Sequence, residues 1–563
     1  MGPSGAGKSS LLDAISKRSA AQGEVSVNGS TDFSVRELFS FVEQDDALLG
    51  VLTVRETVAF AAYLALGPSY PGIEQHIDST LKSLGLQDIA RNRIGTPLQR
   101  GISGGQKRRV TIACSVVAKP QVLILDEPTS GLDAASGREV IAFLLRLARE
   151  RNVVVICTIH QPAFGTFSLF DNLILLAGGL TMYNGPVAEL DSYLVSIGSP
   201  TPEFTNPSDH AIDLVNTEFQ TGDKEGRSPE EHLEHMASSW RRYGEAKLQH
   251  SSSSEPAPCG LTLHEQRHKS RVFVDNLRKM TTLMHRNFLN YVRNILAYGI
   301  RLGMYIGMGL LLALVWIRLG TSSNKINDRL SVAFFSVAFL GFMSVSGIPA
   351  FLEERAVFIR ERSNGLYGPG VYLLASTLVS IPFLFACTVV YTLIIYWAIG
   401  LHPGATHFFR FLVYLFLALM AAESQSLLVA AAIPIFVAAL ALASFANGLW
   451  MVVQGYFIRA TSLPRFWYYT FHFIDFQTFA FELLVRNDFT GLVFDCPTVA
   501  GACACPMASS LTATTGQCAL AGKDVLEDLG IDGVSDGLYV GILIIIVVVY
   551  RLLMWGVLVL RKR

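Results

Sequence analysis

The chain changes its hydrophobic pattern once, near residue 271. Before that point the apolar runs are short and bounded by turn residues. Leu38–Asp46 (LFSFVEQDD), the run VLILD ending at Asp126, Val153–Ile159 (VVVICTI) and NLILLAGG read as strands, mostly buried. EVSVNG, Glu24–Gly29, reads as a further strand and an Asn-Gly turn. Helical patterns lie between these runs: Ser9–Arg18, and the stretch from Thr53 to about Arg93, which opens on a capping-box signature, Thr53-Val-Arg-Glu56. Strands alternating with amphipathic helices predict an α/β domain over residues 1–219. Residues 220–270 are polar, rich in Ser, Glu and His, and read as a linker of low order.

From 271 to 295 a basic amphipathic helix is expected to lie at a membrane interface. Long apolar runs come next, and we count six spans, at about 296–317, 330–351, 371–399, 409–431, 435–457 and 538–560. An even count returns the C-terminus to the cytoplasm, in keeping with Arg561-Lys562-Arg563 and the charged loop Glu353–Arg362 (EERAVFIRER) between spans two and three. Residues 458–537 then form an extracellular loop whose aromatic first part suits interfacial or re-entrant helices. The fold class is therefore an α/β domain, which the motifs described below make a P-loop NTPase cassette by resemblance, followed by an all-α six-helix transmembrane domain, 296–563.

Composition agrees with the membrane half: 51% of residues are hydrophobic and 16% charged, and mean hydropathy is +0.39. A net charge of −1 gives no reason to expect nucleic acid as a partner. Of eight cysteines, Cys496, Cys503, Cys505 and Cys518 cluster in the extracellular loop and predict two disulfides, with three pairings open. Zinc is disfavoured there, because Cys503-x-Cys505 lacks the usual spacer. The scattered histidines of the linker, His232, His235, His250, His264 and His268, read as solvated. Glu423 sits inside the fourth apolar run, where a carboxylate must face protein, a water-filled cavity or the interface.

The chemistry lies in the first half. Gly2-Pro-Ser-Gly-Ala-Gly-Lys-Ser9 fits a phosphate-binding loop without mismatch, with Lys8 for the β and γ phosphates and the Ser9 hydroxyl for Mg²⁺. Such a loop comes after a buried strand, yet only Met1 precedes it here, so the cassette is expected to be incomplete at its N-terminus. The bland alternative is a short isoform with impaired ATP binding. Gly101–Val110 (GISGGQKRRV) is a small-residue turn at a helix start, able to hold an anion on its N–H groups, and VLILDEPTSGLD is an apolar strand ending in two carboxylates.

The order of phosphate loop, Gln44, ISGGQ, LILDEP, SGLD and His160 resembles the nucleotide-binding domain of ATP-binding-cassette transporters. With the cassette first, and with TVRET, TSGLD and TIHQP, the chain resembles half-transporters of the G (White/Brown-complex) subfamily. That resemblance implies ATP and Mg²⁺ as cofactors. It makes Pro3, Ser4, Gly5, Ala6, Gly7 and Ser10 phosphate-loop contacts beside Gly2, Lys8 and Ser9. Asp126, Ser9 and Gln44 become metal-side groups, Glu127 the general base, and His160 the γ-phosphate sensor. Ser103, Gly104, Gly105 and Gln106 would close over a nucleotide on the opposite subunit, and Asp133 would link the two sites. Glu56 and the loop Glu353–Arg362 would couple cassette to membrane domain, and Phe445, Asn447 and Met451 would line a central cavity. The implied protein is a dimeric, multi-pass ATP-driven exporter of a hydrophobic or amphipathic small molecule, in the plasma membrane before an organelle, with membrane lipid and a second half-transporter as partners. The competing reading is a non-hydrolysing regulatory subunit of a heterodimer.

Overall fold

The computed structural model describes residues 1–19, 23–26, 38–96, 99–216, 228–250, 269–459, 462–499, 502–533 and 535–561. It divides into two units: Met1–Thr282 together with Ile359–Gly368, and Leu283–Phe358 together with Pro369–Arg563.

In the first unit, β1 (Phe39–Val42), β2 (Val122–Leu125) and β3 (Val154–Cys157) form a parallel sheet in that order. Five helices accompany it: α1 (Lys8–Ile15), α2 (Val54–Ala65), α3 (Ile73–Ser83), α4 (Gly104–Val116) and α5 (Ala134–Arg151). The β2 strand is apolar throughout because both of its faces are covered. Val122 and Ile124 pack with Leu12 of α1, while Leu123 and Leu125 pack with Val110 of α4 and Val140 and Leu144 of α5. β4 (Asn172–Ala177) and β5 (Leu180–Pro186) form an antiparallel hairpin. Its turn needs positive φ at two successive residues, supplied by Gly178 (54°) and Gly179 (78°). Met1 runs beside this hairpin, its amine donating to the Ile174 carbonyl at 2.7 Å and its carbonyl accepting from the Leu176 N–H at 2.9 Å.

The expected linker is partly structured. After α6 (Pro207–Val215), residues Pro229–His250 form a helix, α7. Leu233, Met236, Ala237 and Trp240 recur at helical spacing and pack on the core that holds Tyr183 and Tyr193. The Trp240 ring lies 4.9 Å from Tyr183 and 5.4 Å from Tyr193. The SSSS run with His264 and His268, the second half of the EVSVNG strand, and Lys562-Arg563 lie outside the described residues.

The second unit is mainly helical, with two small antiparallel strand pairs, Val493–Asp495 with Ala519–Ala521 and Thr498–Val499 with Ala502–Cys503. After α8 (Lys269–Arg293), a π-helical turn at Ile295–Gly299 leads into α9 (Ile300–Val315). Beyond it come α10 (Ile326–Met343), α11 (Ile348–Ser363), α12 (Pro369–Ile399), α13 (Ala405–Ala432), α14 (Phe436–Val453), α15 (Phe476–Phe489) and α16 (Asp536–Leu560). Among the described residues five stretches are long and apolar enough to cross a membrane: Ser323–Ser363, α12, α13, α14 and α16. The first of the six expected spans is the shorter apolar helix α9, of 16 residues. Glu353–Arg362 is not a loop but the end of α11; its Glu, Arg and Ala content favours helix, and no Gly or Pro interrupts it. The aromatic stretch before residue 490 divides in two: Phe466, Tyr469 and Phe473 are exposed, as suits an interfacial segment, whereas nearly every side chain of α15 is buried in the helical core. On α14, Phe445 is exposed, whereas Asn447 is fully buried and donates to the Ala443 carbonyl at 3.0 Å. Asn447 therefore does not line an open cavity.

Two buried ion pairs tie these helices. Arg329 Nη1 donates to both carboxylate oxygens of Asp488, at 3.0 and 2.8 Å, and Nη2 donates to the carbonyls of Leu319 and Gly400 at 3.2 and 3.1 Å. Glu423 does have a partner: Arg301 donates to it at 2.9 Å and to the Ser344 carbonyl at 2.8 Å. The late cysteines pair as Cys496–Cys505 and Cys503–Cys518.

Arg329→Met leaves Asp488 buried without its cation and is expected to destabilise the solubilised chain by about 3 kcal/mol or more, read as a lowered thermal midpoint. Peptide mapping without reductant is expected to return the Cys496–Cys505 and Cys503–Cys518 links; a Cys496–Cys518 link would contradict the fold of this loop.

Candidate functional site

Strand register assembles the site. Val42 pairs with Leu125, and Leu125 with Cys157. Three parallel strands therefore stop level with one another, and the residues just beyond each strand reach the same carboxyl edge: Gln44 after β1, Asp126 and Glu127 after β2, Thr158 and His160 after β3. That edge is where parallel α/β sheets bind ligands.

Across the edge lies the glycine-rich turn. Gly5 (φ 74°) and Gly7 (φ 91°) adopt left-handed conformations that a side chain would strain, and Gly7 caps the start of α1. Gly2 has a different reason: a Cβ there would stand 2.1 Å from the Leu176 carbonyl oxygen. The Lys8 ammonium lies over the turn, donating to the carbonyls of Gly2 and Pro3 at 2.8 and 2.9 Å. Burial lowers its pKa, against the opposing pull of Glu127 and Asp126. Ser4, Gly5, Ser9 and Ser10 are exposed, Pro3 is half-buried and Ala6 is buried.

The carboxylates are held from behind. Thr158 Oγ1 donates to Asp126 Oδ1 at 2.5 Å and accepts the Glu127 N–H at 2.8 Å. Gln44 Nε2 donates to Glu127 Oε2 at 3.0 Å. Glu127 has φ 47°, a left-handed conformation that costs a residue with a side chain about 1 to 2 kcal/mol. Arg108 keeps it there. Only 2% exposed, Arg108 donates to the carbonyls of Glu43, Gln44, Asp126 and Glu127, and to Asp46 Oδ1 at 3.3 Å. One guanidinium thus joins the ends of β1 and β2. Ser9, Gln44 and Asp126 offer a hydroxyl, an amide oxygen and a carboxylate, hard oxygen donors that suit Mg²⁺.

Other predicted residues are spent locally. Ser103 and Gln106 form a capping box on α4, with Gln106 N–H to Ser103 Oγ at 3.3 Å and Ser103 N–H to Gln106 Oε1 at 2.9 Å. Space beside Gly104 is open, and a Cβ on Gly105 would meet the tip of the Leu132 side chain at 2.7 Å, so a larger residue there would displace that side chain. Asp133 caps α5, accepting from the N–H of Ser136 at 2.9 Å and of Ala135 at 3.1 Å. Bonds from the Ser136 N–H and hydroxyl hold its carboxyl below the usual range. Glu56 likewise accepts the Thr53 N–H at 2.9 Å, completing the expected capping box. His160 is exposed.

Three contributors escaped the sequence reading: Arg108, Thr158 and Asn364. Thr158 had a signal, as the polar residue in the apolar run VVVICTI. Asn364 belongs to Ile359–Gly368, the part of α11 and its adjoining turn that packs with the first unit. Its amide accepts the Phe41 N–H at 2.8 Å, donates to the Phe41 carbonyl at 3.0 Å, and accepts from Arg18 at 3.0 Å. Arg360 donates to the Ala47 carbonyl at 2.6 Å. A cavity of about 470 Å³ lies behind the turn and is lined mainly by apolar side chains such as Leu12, Leu144, Val155 and Leu173. Lys8 and Thr158 reach its wall, but the rest of its lining is largely aliphatic, and the N–H groups that suit a polyphosphate belong to the glycine-rich turn and the start of α1.

Residues 1–130 match the ABC transporter family model, and 160–244 and 278–489 match models of the ABC-2 type transporter. The chain is 35% identical to ABC transporter G family member 1 of Petunia hybrida, over 87% of this chain and 78% of that protein. It is 36% identical to ABC transporter G family member 11 of Arabidopsis thaliana, over 88% of this chain and 73% of that one. With ABC transporter G family member 22 of Dictyostelium discoideum the identity is 32%, over 95% and 85%.

Arg108→Met strips four carbonyls of a buried donor and is expected to cost about 3 kcal/mol or more of stability, with ATP turnover lost, as measured by thermal melting and phosphate release. Thr158→Val keeps the shape but not the hydroxyl. It is expected to lower turnover at least about tenfold with a much smaller fall in melting temperature.

Proposed function

Because the chain belongs to the ABC transporter G family, we propose that this membrane-embedded, ATP-hydrolysing transporter works as a dimer and exports a hydrophobic or amphipathic small molecule. The observation that carries the hydrolytic reading is the register placing Gln44, Asp126, Glu127 and Thr158 on one sheet edge opposite the Lys8 turn. The apolar stretches of the second unit give the reaction a membrane to act across.

In this reading the N–H groups of the Gly2–Ser9 turn and the N-terminus of α1 cradle the phosphates, with Lys8 leaving its loop carbonyls for the β and γ oxygens. Glu127 takes a proton from the attacking water, which Gln44 helps to orient and His160 holds against the γ-phosphate. Magnesium, when bound to Ser9, Gln44 and Asp126, neutralises charge on the phosphate oxygens. Most of the catalysis is positioning, so the backbone grip of Arg108 and Thr158 matters as much as the carboxylates. The exposed turn at Ser103–Gln106, with open space beside Gly104, is where a second cassette completes the site. Asn364 and Arg360 grip β1 and the segment beyond Gln44, and would convey closure to α11.

The test is ATP turnover and vesicle uptake by the reconstituted chain, wild type against Glu127→Gln, with sterols, phospholipids and amphipathic drugs as candidate cargo. Glu127→Gln leaves the main-chain bonds intact, so it is expected to melt like wild type, bind ATP, and lose turnover and transport by about 100-fold or more. Absence of turnover in the wild-type homodimer, with turnover appearing only beside a second half-transporter, would replace this reading with that of a regulatory subunit.

A further inference from the structure

We propose that Asn206 and Ser208 are positioning residues for His160, acting through the carbonyl of Pro162; the inference rests on the role given to His160 above. His160 stands at the exposed apex of a short loop whose two sides are fixed. Upstream, Thr158 and Ile159 are buried, and the Thr158 hydroxyl is bonded to Asp126 and Glu127. Downstream, Gln161 turns the chain with φ 40°, a left-handed conformation unfavourable for a residue with a side chain. Pro162, which has no N–H to donate, is buried directly after it. A loop strained in this way keeps its shape only when its surroundings impose it.

The imposition comes from the first turn of α6. The Pro162 carbonyl accepts a hydrogen bond from Asn206 Nδ2 at 2.8 Å and a second from Ser208 Oγ at 3.2 Å. Both of its lone pairs are thereby used. Ser208 is fully buried, and Ala211, Ile212 and Val215 anchor α6 in the same apolar cluster as Ile159 and Phe167. The two donors are therefore fixed with respect to the strand end that carries His160.

Asn206 has a divided amide. Its Oδ1 accepts the Ser208 N–H at 3.4 Å, capping α6 ahead of Pro207, while its Nδ2 serves Pro162. The reverse orientation would set oxygen against oxygen at one end and N–H against N–H at the other, so the network itself assigns the amide. This division also permits a selective change. Aspartate caps a helix as well as asparagine does, but it has no donor for Pro162 and presents a carboxylate oxygen to the carbonyl. Asn206→Asp therefore keeps the helix start and releases the loop.

The experiment uses the full-length reconstituted chain and measures ATP turnover, KM for ATP and melting temperature for Asn206→Asp, Ser208→Ala, Ser208→Thr and His160→Ala, and for Asn206→Asp combined with His160→Ala. Asn206→Asp is expected to lower kcat between about 10-fold and 100-fold, the range for a misplaced catalytic group. KM and melting temperature stay near wild type, and Ser208→Thr retains more turnover than Ser208→Ala. Because the residues act through one side chain, adding Asn206→Asp to His160→Ala should cost nothing further, which a purely structural role would not reproduce. Wild-type kcat in Asn206→Asp beside an inactive His160→Ala overturns the inference. So does a loss that persists undiminished in the His160→Ala background, or one that tracks the melting temperature. Wild-type turnover in His160→Ala itself defeats the underlying role of His160 instead.

Discussion

The first unit depends on the buried guanidinium of Arg108. A parallel sheet ends in carbonyls that have no neighbour beyond the last pair, and buried carbonyls left without donors are costly. Here the carbonyls just past β1 and β2 converge on a single planar cation, which bonds those of Glu43, Gln44, Asp126 and Glu127. Lysine has the charge but not the fork. Because Glu127 sits in a left-handed conformation, the same contacts that satisfy the carbonyls also keep the carboxylate aimed past the sheet edge. Stability and chemistry share these bonds.

The second unit handles charge under a different constraint. An ionised side chain among apolar helices is expensive, and it is tolerated where its partner and its remaining hydrogen bonds are all in place. Arg301 meets Glu423 and a turn of backbone at Ser344, and Arg329 meets Asp488 and the carbonyls of Leu319, beyond α9, and Gly400, just past α12. In both cases the arginine joins segments far apart in the chain. Helices that share similar apolar surfaces have few other means of fixing their order.

Much of this was legible in the residues. The phosphate turn, the strand ends and the capping box at Thr53 could be read directly, because each depends on neighbours within a few positions. Arg108 was hidden in QKRRV, where a basic run reads as a solvated helix face; only the return of β1 and β2 past α4 buries it. The α7 helix was hidden by polar composition, since its apolar side chains occupy one narrow stripe among His, Glu and Arg. The π turn before α9 blurred the boundary of the first apolar run. The disulfide pairing is a property of the small strands around residues 493–521, whose register no local pattern reveals.

Asn364 hydrogen-bonds the Phe41 main chain, accepting from its N–H and donating to its carbonyl as a neighbouring strand would. These bonds follow the path of the backbone there, while Arg18, which also donates to Asn364, lies over the Phe41 ring at 3.9 Å. A small rotation of that peptide misaligns both bonds together. The contact therefore ties the turn after α11 to the posture of the strand that leads to Gln44.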